Sequence, residues 1–303
     1  MLRAKHPFLK RPNTYLPGRE PNCQQTYRWL LCLAYKLKQD KSKEFSIEQM
    51  QPDWLETKSQ KWRYRILVGI ISGLAIALIY ALGTGLIGAT IGGLTYGLIL
   101  AMTKEVYLVP KMRFSIKFAK FALWESLKQS LWWGFIYGFI DAIICWFIWG
   151  IPGFIIGMVQ VIIWGLVEGI IWGCWEPEFT KENSSDRGIR ESAINAVIFT
   201  VIGGILWLGF YLLYLWAVRE PLEPLSIALD TISNGLFFTI YMGGFTCLQH
   251  FLLRSILAVD GAIPWNYAKF LDYATKQGFL EREGGRFSFK YDLLENAIDV
   301  KIR

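Results

Sequence analysis

Ionisable side chains are scarce in this chain, and histidine is nearly absent: two of 303 residues, His6 and His250. Only 19% of the residues are charged. Five cysteines (Cys23, Cys32, Cys145, Cys174, Cys247) are scattered, odd in number and without CxxC spacing. Neither a disulfide framework nor a zinc site is indicated, and no cofactor or metal is expected. No GxxxxGK[ST], HExxH or nucleophile elbow occurs, so nucleotide hydrolysis and the common hydrolase chemistries are not expected. The first sixty residues are polar and hold no signal-peptide core. The most telling absence lies between Ile66 and Met102, thirty-seven residues without one charge. A helix of that length runs roughly 55 Å, against about 30 Å of hydrocarbon in a bilayer. The stretch should therefore cross twice.

What is present fits that reading. Hydrophobic residues make up 53% of the chain and tryptophan occurs fourteen times. Gly83-Thr84-Gly85 divides the uncharged stretch into helices 66–82 and 86–102, because glycine supplies the left-handed angles a tight turn requires. A second pair, 131–149 and 154–174, is divided by Gly150-Ile151-Pro152-Gly153. A third pair, 193–218 and 227–253, is divided by a segment carrying Pro221 and Pro224. The expected fold is thus an all-α polytopic membrane protein with about six transmembrane helices in three hairpins, over 66–253.

The flanks are basic. Residues 1–65 hold fourteen Lys and Arg, with prolines at 7, 12, 17 and 21 and then an amphipathic helix from Thr26 through Leu37. Pro52 should stop any helix begun at Ile47. Lys58, Lys61, Arg63 and Arg65 form a collar able to hold anionic lipid head groups. Residues 104–128 carry six cations interleaved with Phe114, Phe118 and Phe121, as in an interfacial helix or an extension of the third crossing. The turns at 83–85 and 150–153 carry no cation, which puts both termini in the cytoplasm. The +7 net charge is then a topological signal, and nucleic acid is an unlikely partner.

Three acids lie at membrane depth: Asp141, Glu168 and Asp230. An ionised acid at bilayer centre costs about 3 kcal/mol on insertion scales. Asp141, Gln160 and Glu168 therefore make a possible intramembrane polar site for ion or proton passage. Asp230 sits near a helix start, where the dipole favours an acid. Glycines recur at spacing four, at 69/73, 88/92, 93/97, 134/138, 153/157 and 165/169/173. They allow close helix packing, within the chain or in self-association.

Residues 254–303 read as a small cytoplasmic tail. Pro264 should open a helix that runs to Gln277, Gly278 should end it, a β-hairpin should follow, and 291–300 should be a closing helix. This is an α/β arrangement like half of a winged helix. Eight basic and seven acidic residues give it no basic face for duplex binding.

Cys247-Leu-Gln-His-Phe-Leu-Leu-Arg254, Gly261-Ala-Ile-Pro-Trp-Asn-Tyr-Ala-Lys-Phe-Leu-Asp-Tyr-Ala-Thr275 and Gly284-Gly-Arg-Phe-Ser-Phe289 together carry a resemblance. The chain resembles the C-terminal membrane region of bacterial, often cyanobacterial, NACHT-domain NTPases of the STAND class, from Thr26 to about Leu294. The matching motif residues are Gln249, His250, Arg254, Pro264, Trp265, Asn266, Tyr267, Phe270, Leu271, Tyr273, Gly284 and Gly285. It departs from the family at Tyr291, where histidine is common, and near Ile298, where an aromatic is common. The P-loop of the family is missing, so the resemblance implies a truncated gene product or a separate subunit. It implies a non-enzymatic anchor or sensor in the bacterial cell membrane, acting in signal transduction with lipids and a NACHT-type NTPase as partners. The alternative is a small ion or proton channel acting through Asp141 and Glu168.

Overall fold

The structure is a computed structural model that describes residues 20–107, 111–178, 187–219, 221, 223–283 and 285–290. The closing helix expected at 291–300 lies outside the described residues. The chain is mostly helical and divides into two compact units. Residues 20–60 and 251–290 belong to one, and 61–178 and 188–250 to the other.

The first unit begins with α1 (Cys23–Gln39). Asn22 and Gln25 cap each other reciprocally: the Gln25 amide donates to Asn22 Oδ1 at 2.7 Å and the Asn22 amide to Gln25 Oε1 at 3.1 Å. The buried face carries Leu30, Leu33, Ala34 and Leu37, the spacing of an amphipathic helix. Two single 3₁₀ turns follow, Ile47–Gln49 and Pro52–Trp54, with Pro52 opening the second. Between α1 and these turns, Phe45 exchanges both backbone hydrogen bonds with Phe287 at 2.7 Å.

The second unit contains α2 (Lys58–Ala101), whose first residues belong to the first unit. Gly85, at φ 69°, breaks it where the sequence asked for a turn. Across that break Gly69 and Gly73 face Gly97 and Gly93: a Cβ on Gly73 would lie 2.7 Å from the Gly93 carbonyl oxygen. Strand β1 (Lys111–Phe114) pairs antiparallel with β2 (Trp175–Glu178). Between them runs α3 (Ile116–Cys174), capped by Ser115 and broken at Gly150 with φ 68°. Gly157, Gly165, Gly169 and Gly173 lie against Ala142, Leu131, Leu127 and Leu123, so the second hairpin also closes on small residues. The hairpin brings the ends of α3 together, so the backbone groups of 111–114 bond to 175–178. The interfacial helix expected over 104–128 therefore starts only at Ile116.

Then come α4 (Arg187–Val218) and α5 (Pro224–Thr239), a π-helical turn (Ile240–Gly244) and α6 (Phe245–Val259). Among the described residues, four helical stretches are long and apolar enough to cross a membrane: Lys58–Leu82, Gly157–Cys174, Ile189–Trp216 and Pro224–Val259. Gly85–Ala101 is apolar but shorter. Ile163, Val167, Ile171, Phe199, Trp207, Phe238 and Met242 form a buried cluster in this unit.

The first unit is completed by the end of α6, by α7 (Tyr267–Lys276), and by β3 (Leu280–Glu283) paired with β4 (Arg286–Phe289). The α7 helix starts at Tyr267 rather than Pro264, because the Asn266 side chain accepts from the Lys269 amide and caps it there. Gly278, at φ 79°, ends the turn that follows. Phe45 contacts Trp54 and Tyr267, and Phe270 contacts Tyr267 and Trp29, giving one aromatic core built from both ends of the chain.

Candidate functional site

Among the apolar helices of the second unit, α3, α4 and α5 share a seam of polar side chains. Asp230 and Asn234 stand one turn apart on α5. Asp230 Oδ2 accepts from the indole of Trp207 on α4 at 2.7 Å. The Asn234 amide nitrogen donates to the Asp230 carbonyl at 2.9 Å, and its oxygen accepts from the indole of Trp164 on α3 at 3.0 Å. Trp164 stacks on Phe238 with ring centroids 4.2 Å apart, which holds the indole donor in place.

One turn beyond Trp164, Glu168 accepts a hydrogen bond from the Tyr241 hydroxyl. Tyr241 belongs to the π turn, where Met242 and Gly243 leave helical geometry. Gly243, at φ 127°, lies so close to α4 that a Cβ there would be 2.5 Å from the Ser192 carbonyl oxygen. An extra residue in a helical turn shifts the side chains after it around the axis. Here Tyr241 is held against Glu168.

Glu168 and Asp230 thus each receive a hydrogen bond from a neutral aromatic donor, and neither has an ion-pair partner among the described residues. Such a donor stabilises an acceptor carboxyl in apolar surroundings without adding a charge. The backbone at Asp141 and Gln160 is helical, but their side chains lie outside the described residues, so the expected trio is represented by Glu168. Asp230 is in the second turn of α5, past the reach of the helix dipole, and serves as the Trp207 acceptor instead. The sequence drew attention to the acids. It gave no signal for Trp164, Trp207, Asn234 or Tyr241, because aromatic residues are common throughout the apolar helices.

The basic collar forms the first turns of α2, with Lys58, Lys61, Arg63 and Arg65 all exposed. In the same unit as the seam, Gln249 and His250 are buried, and Gln249 donates to Thr103 Oγ1 at 3.0 Å. Most of the other motif residues build the first unit. Tyr267, Phe270, Leu271 and Tyr273 are core, Asn266 is a cap, Arg254 and Pro264 are half-buried, Trp265 is exposed, Gly285 is in the hairpin turn, and Gly284 lies outside the described residues.

Burial, with the nearby Glu56 carboxylate, pushes the Cys32 thiol up to about 11, against the opposing pull of Lys36 and Arg28. Burial also raises the Tyr267 phenol well above its ordinary value, with Cys32 adding to the shift and Arg254 opposing it. The Lys36 ammonium is buried, donates to Gln39 Oε1 at 3.1 Å and lies 3.8 Å from Glu56. These are packed structural groups. No set of three metal-ligating side chains occurs among the described residues.

No family model, curated protein or solved structure matches the chain.

Proposed function

We propose that the chain is a non-enzymatic membrane module of six crossings in three hairpins, set in a bacterial cell membrane with both termini cytoplasmic. It holds a small winged-helix-like module at the cytoplasmic face for a NACHT-type NTPase in signal transduction. The observation that carries this reading is the pairing of Phe45 with Phe287. A residue before the first apolar stretch and a strand after the last are joined by a β-bridge, which supports an even number of crossings. The order of elements supports the module: α1, the Phe45 strand residue, the end of α6, α7, then the β3–β4 hairpin with β4 next to Phe45. That is the order of a winged helix with the apolar region inserted after its first strand. The resemblance of 247–289 to the NACHT family supports the partner.

A membrane-impermeant maleimide tests the topology. The native Cys23 and a Lys276→Cys variant, both at exposed positions, should label in sealed inside-out vesicles and stay unlabelled in right-side-out ones. Labelling of the two positions from opposite sides would refute the even count. Co-purification with an NTPase that lacks its own membrane segments tests the partner, and a chain that retains none under native extraction argues against it.

A second reading, a small proton or ion conductor acting as an effector, is favoured by one observation: two carboxyls among apolar helices that have no ion-pair partner among the described residues. Proteoliposome flux that is lost in Asp141→Asn and Glu168→Gln would select it. Absence of flux would select the anchor.

A further inference from the structure

The Pro224–Val259 stretch is 36 residues long, against the roughly 20 that cross a bilayer core. A stretch that long extends past the hydrocarbon, and its α6 end still presents apolar side chains outward. Phe251 is 59% exposed and Val259, two turns later on the same face, is 75% exposed. Trp265, in the segment before α7, is 66% exposed and meets Phe251 edge to face at 6.4 Å, so the two rings form one exposed patch on the first unit. Arg254 follows Phe251 by one turn of α6, and Lys269 stands in the first turn of α7 after Trp265, both half-buried. Asp260 accepts from Gln60 at 2.6 Å, and Asp272 pairs with Arg282 at 2.8 Å. Aromatic rings and an aliphatic side chain with cations close in the chain are the composition that settles at the boundary of head groups and acyl chains.

We propose that Phe251, Val259 and Trp265 form a lipid-docking face by which the first unit lies on the surface of an anionic bilayer. The occupant is lipid because α6 is the continuation of a membrane-spanning stretch and because the charges of Arg254 and Lys269 match acidic head groups. The proposal rests on the membrane reading above. It adds that the cytoplasmic module is held against the bilayer rather than standing free in water.

The test uses the full chain in liposomes of phosphatidylcholine and phosphatidylglycerol, with spin labels on single cysteines in an otherwise cysteine-free background. Labels at Val259→Cys and Trp265→Cys should collide more often with oxygen than with an aqueous nickel chelate, at a depth of about 5–10 Å in the head-group and acyl boundary. A label on the native Cys23, an exposed site of the same unit, should show the reverse. The proposal is overturned if the labels at 259 and 265 behave like that at Cys23, or are shielded from both reagents as by a protein partner, while the chain stays in the pellet after alkaline carbonate. Release of the chain by carbonate would instead overturn the membrane reading itself. Should the cysteine-free chain not fold, quenching by brominated lipid decides: Trp265→Phe must lose part of the quenching seen with the unsubstituted chain, and an unchanged ratio refutes the docking face.

Discussion

Cys32 and Phe45 show how single residues hold the first unit. The thiol of Cys32 is pushed by burial from its ordinary 9.0 to about 11, so the folded unit favours the neutral form. That contribution is fully present below about pH 9 and is lost as pH rises through about 11. Iodoacetamide at neutral pH should therefore modify Cys23 and spare Cys32, and Cys32→Ala should flatten the alkaline loss of stability followed by circular dichroism. Equal modification of the two thiols would contradict the burial. Phe45 contacts Trp54 and Tyr267 and is buried, so Phe45→Ala should cost about 3–5 kcal/mol. Limited proteolysis in native membranes should then release fragments from both ends of the chain. In the apolar unit, Trp207→Phe removes the donor to Asp230 and should cost about 1–3 kcal/mol, whereas Trp207→Phe with Asp230→Leu should cost less than the single change. Thermal melts in detergent separate these outcomes.

At the scale of elements, the two glycine-containing turns were legible in the sequence, though not which glycine of each would make the break. Gly85 and Gly150 carry positive φ where the turns were expected, since no other residue type serves there as well. Spacing alone left open whether the glycine rows serve internal packing or self-association. The structure uses Gly73 and Gly93, and the 157–173 row, inside the hairpins. Gly73→Val should pry the first hairpin apart at about 1–3 kcal/mol, while Gly209→Val, where a Cβ meets nothing within 4 Å, should leave the melting temperature unchanged. Other features were not legible. The Ile240–Gly244 π turn has no sequence signature beyond two glycines, and the β1–β2 ladder joins residues far apart in the chain, from Phe114 with Trp175 to Lys111 with Glu178. Proline at 264 suggested a helix start that the Asn266 cap places three residues later. Of the seam, charge pointed to Glu168 and Asp230, but their aromatic donors come from other helices and depend on packing no local pattern encodes.

For the whole molecule, the long uncharged runs were enough to expect a membrane protein, because desolvation penalises charge wherever it occurs along a chain. The union of the two ends was hidden, since Phe45 and Phe287 lie 242 positions apart and each looks like part of its own short segment. That union makes the first unit from two halves separated in sequence by the apolar helices. Lys58–Leu82 and Pro224–Val259, the stretches nearest those halves, are both long and apolar enough to cross a bilayer. The central claim is integral insertion, and alkaline carbonate extraction of native membranes without detergent tests it most directly. The chain should remain wholly in the membrane pellet, and its recovery in the aqueous supernatant would contradict the account.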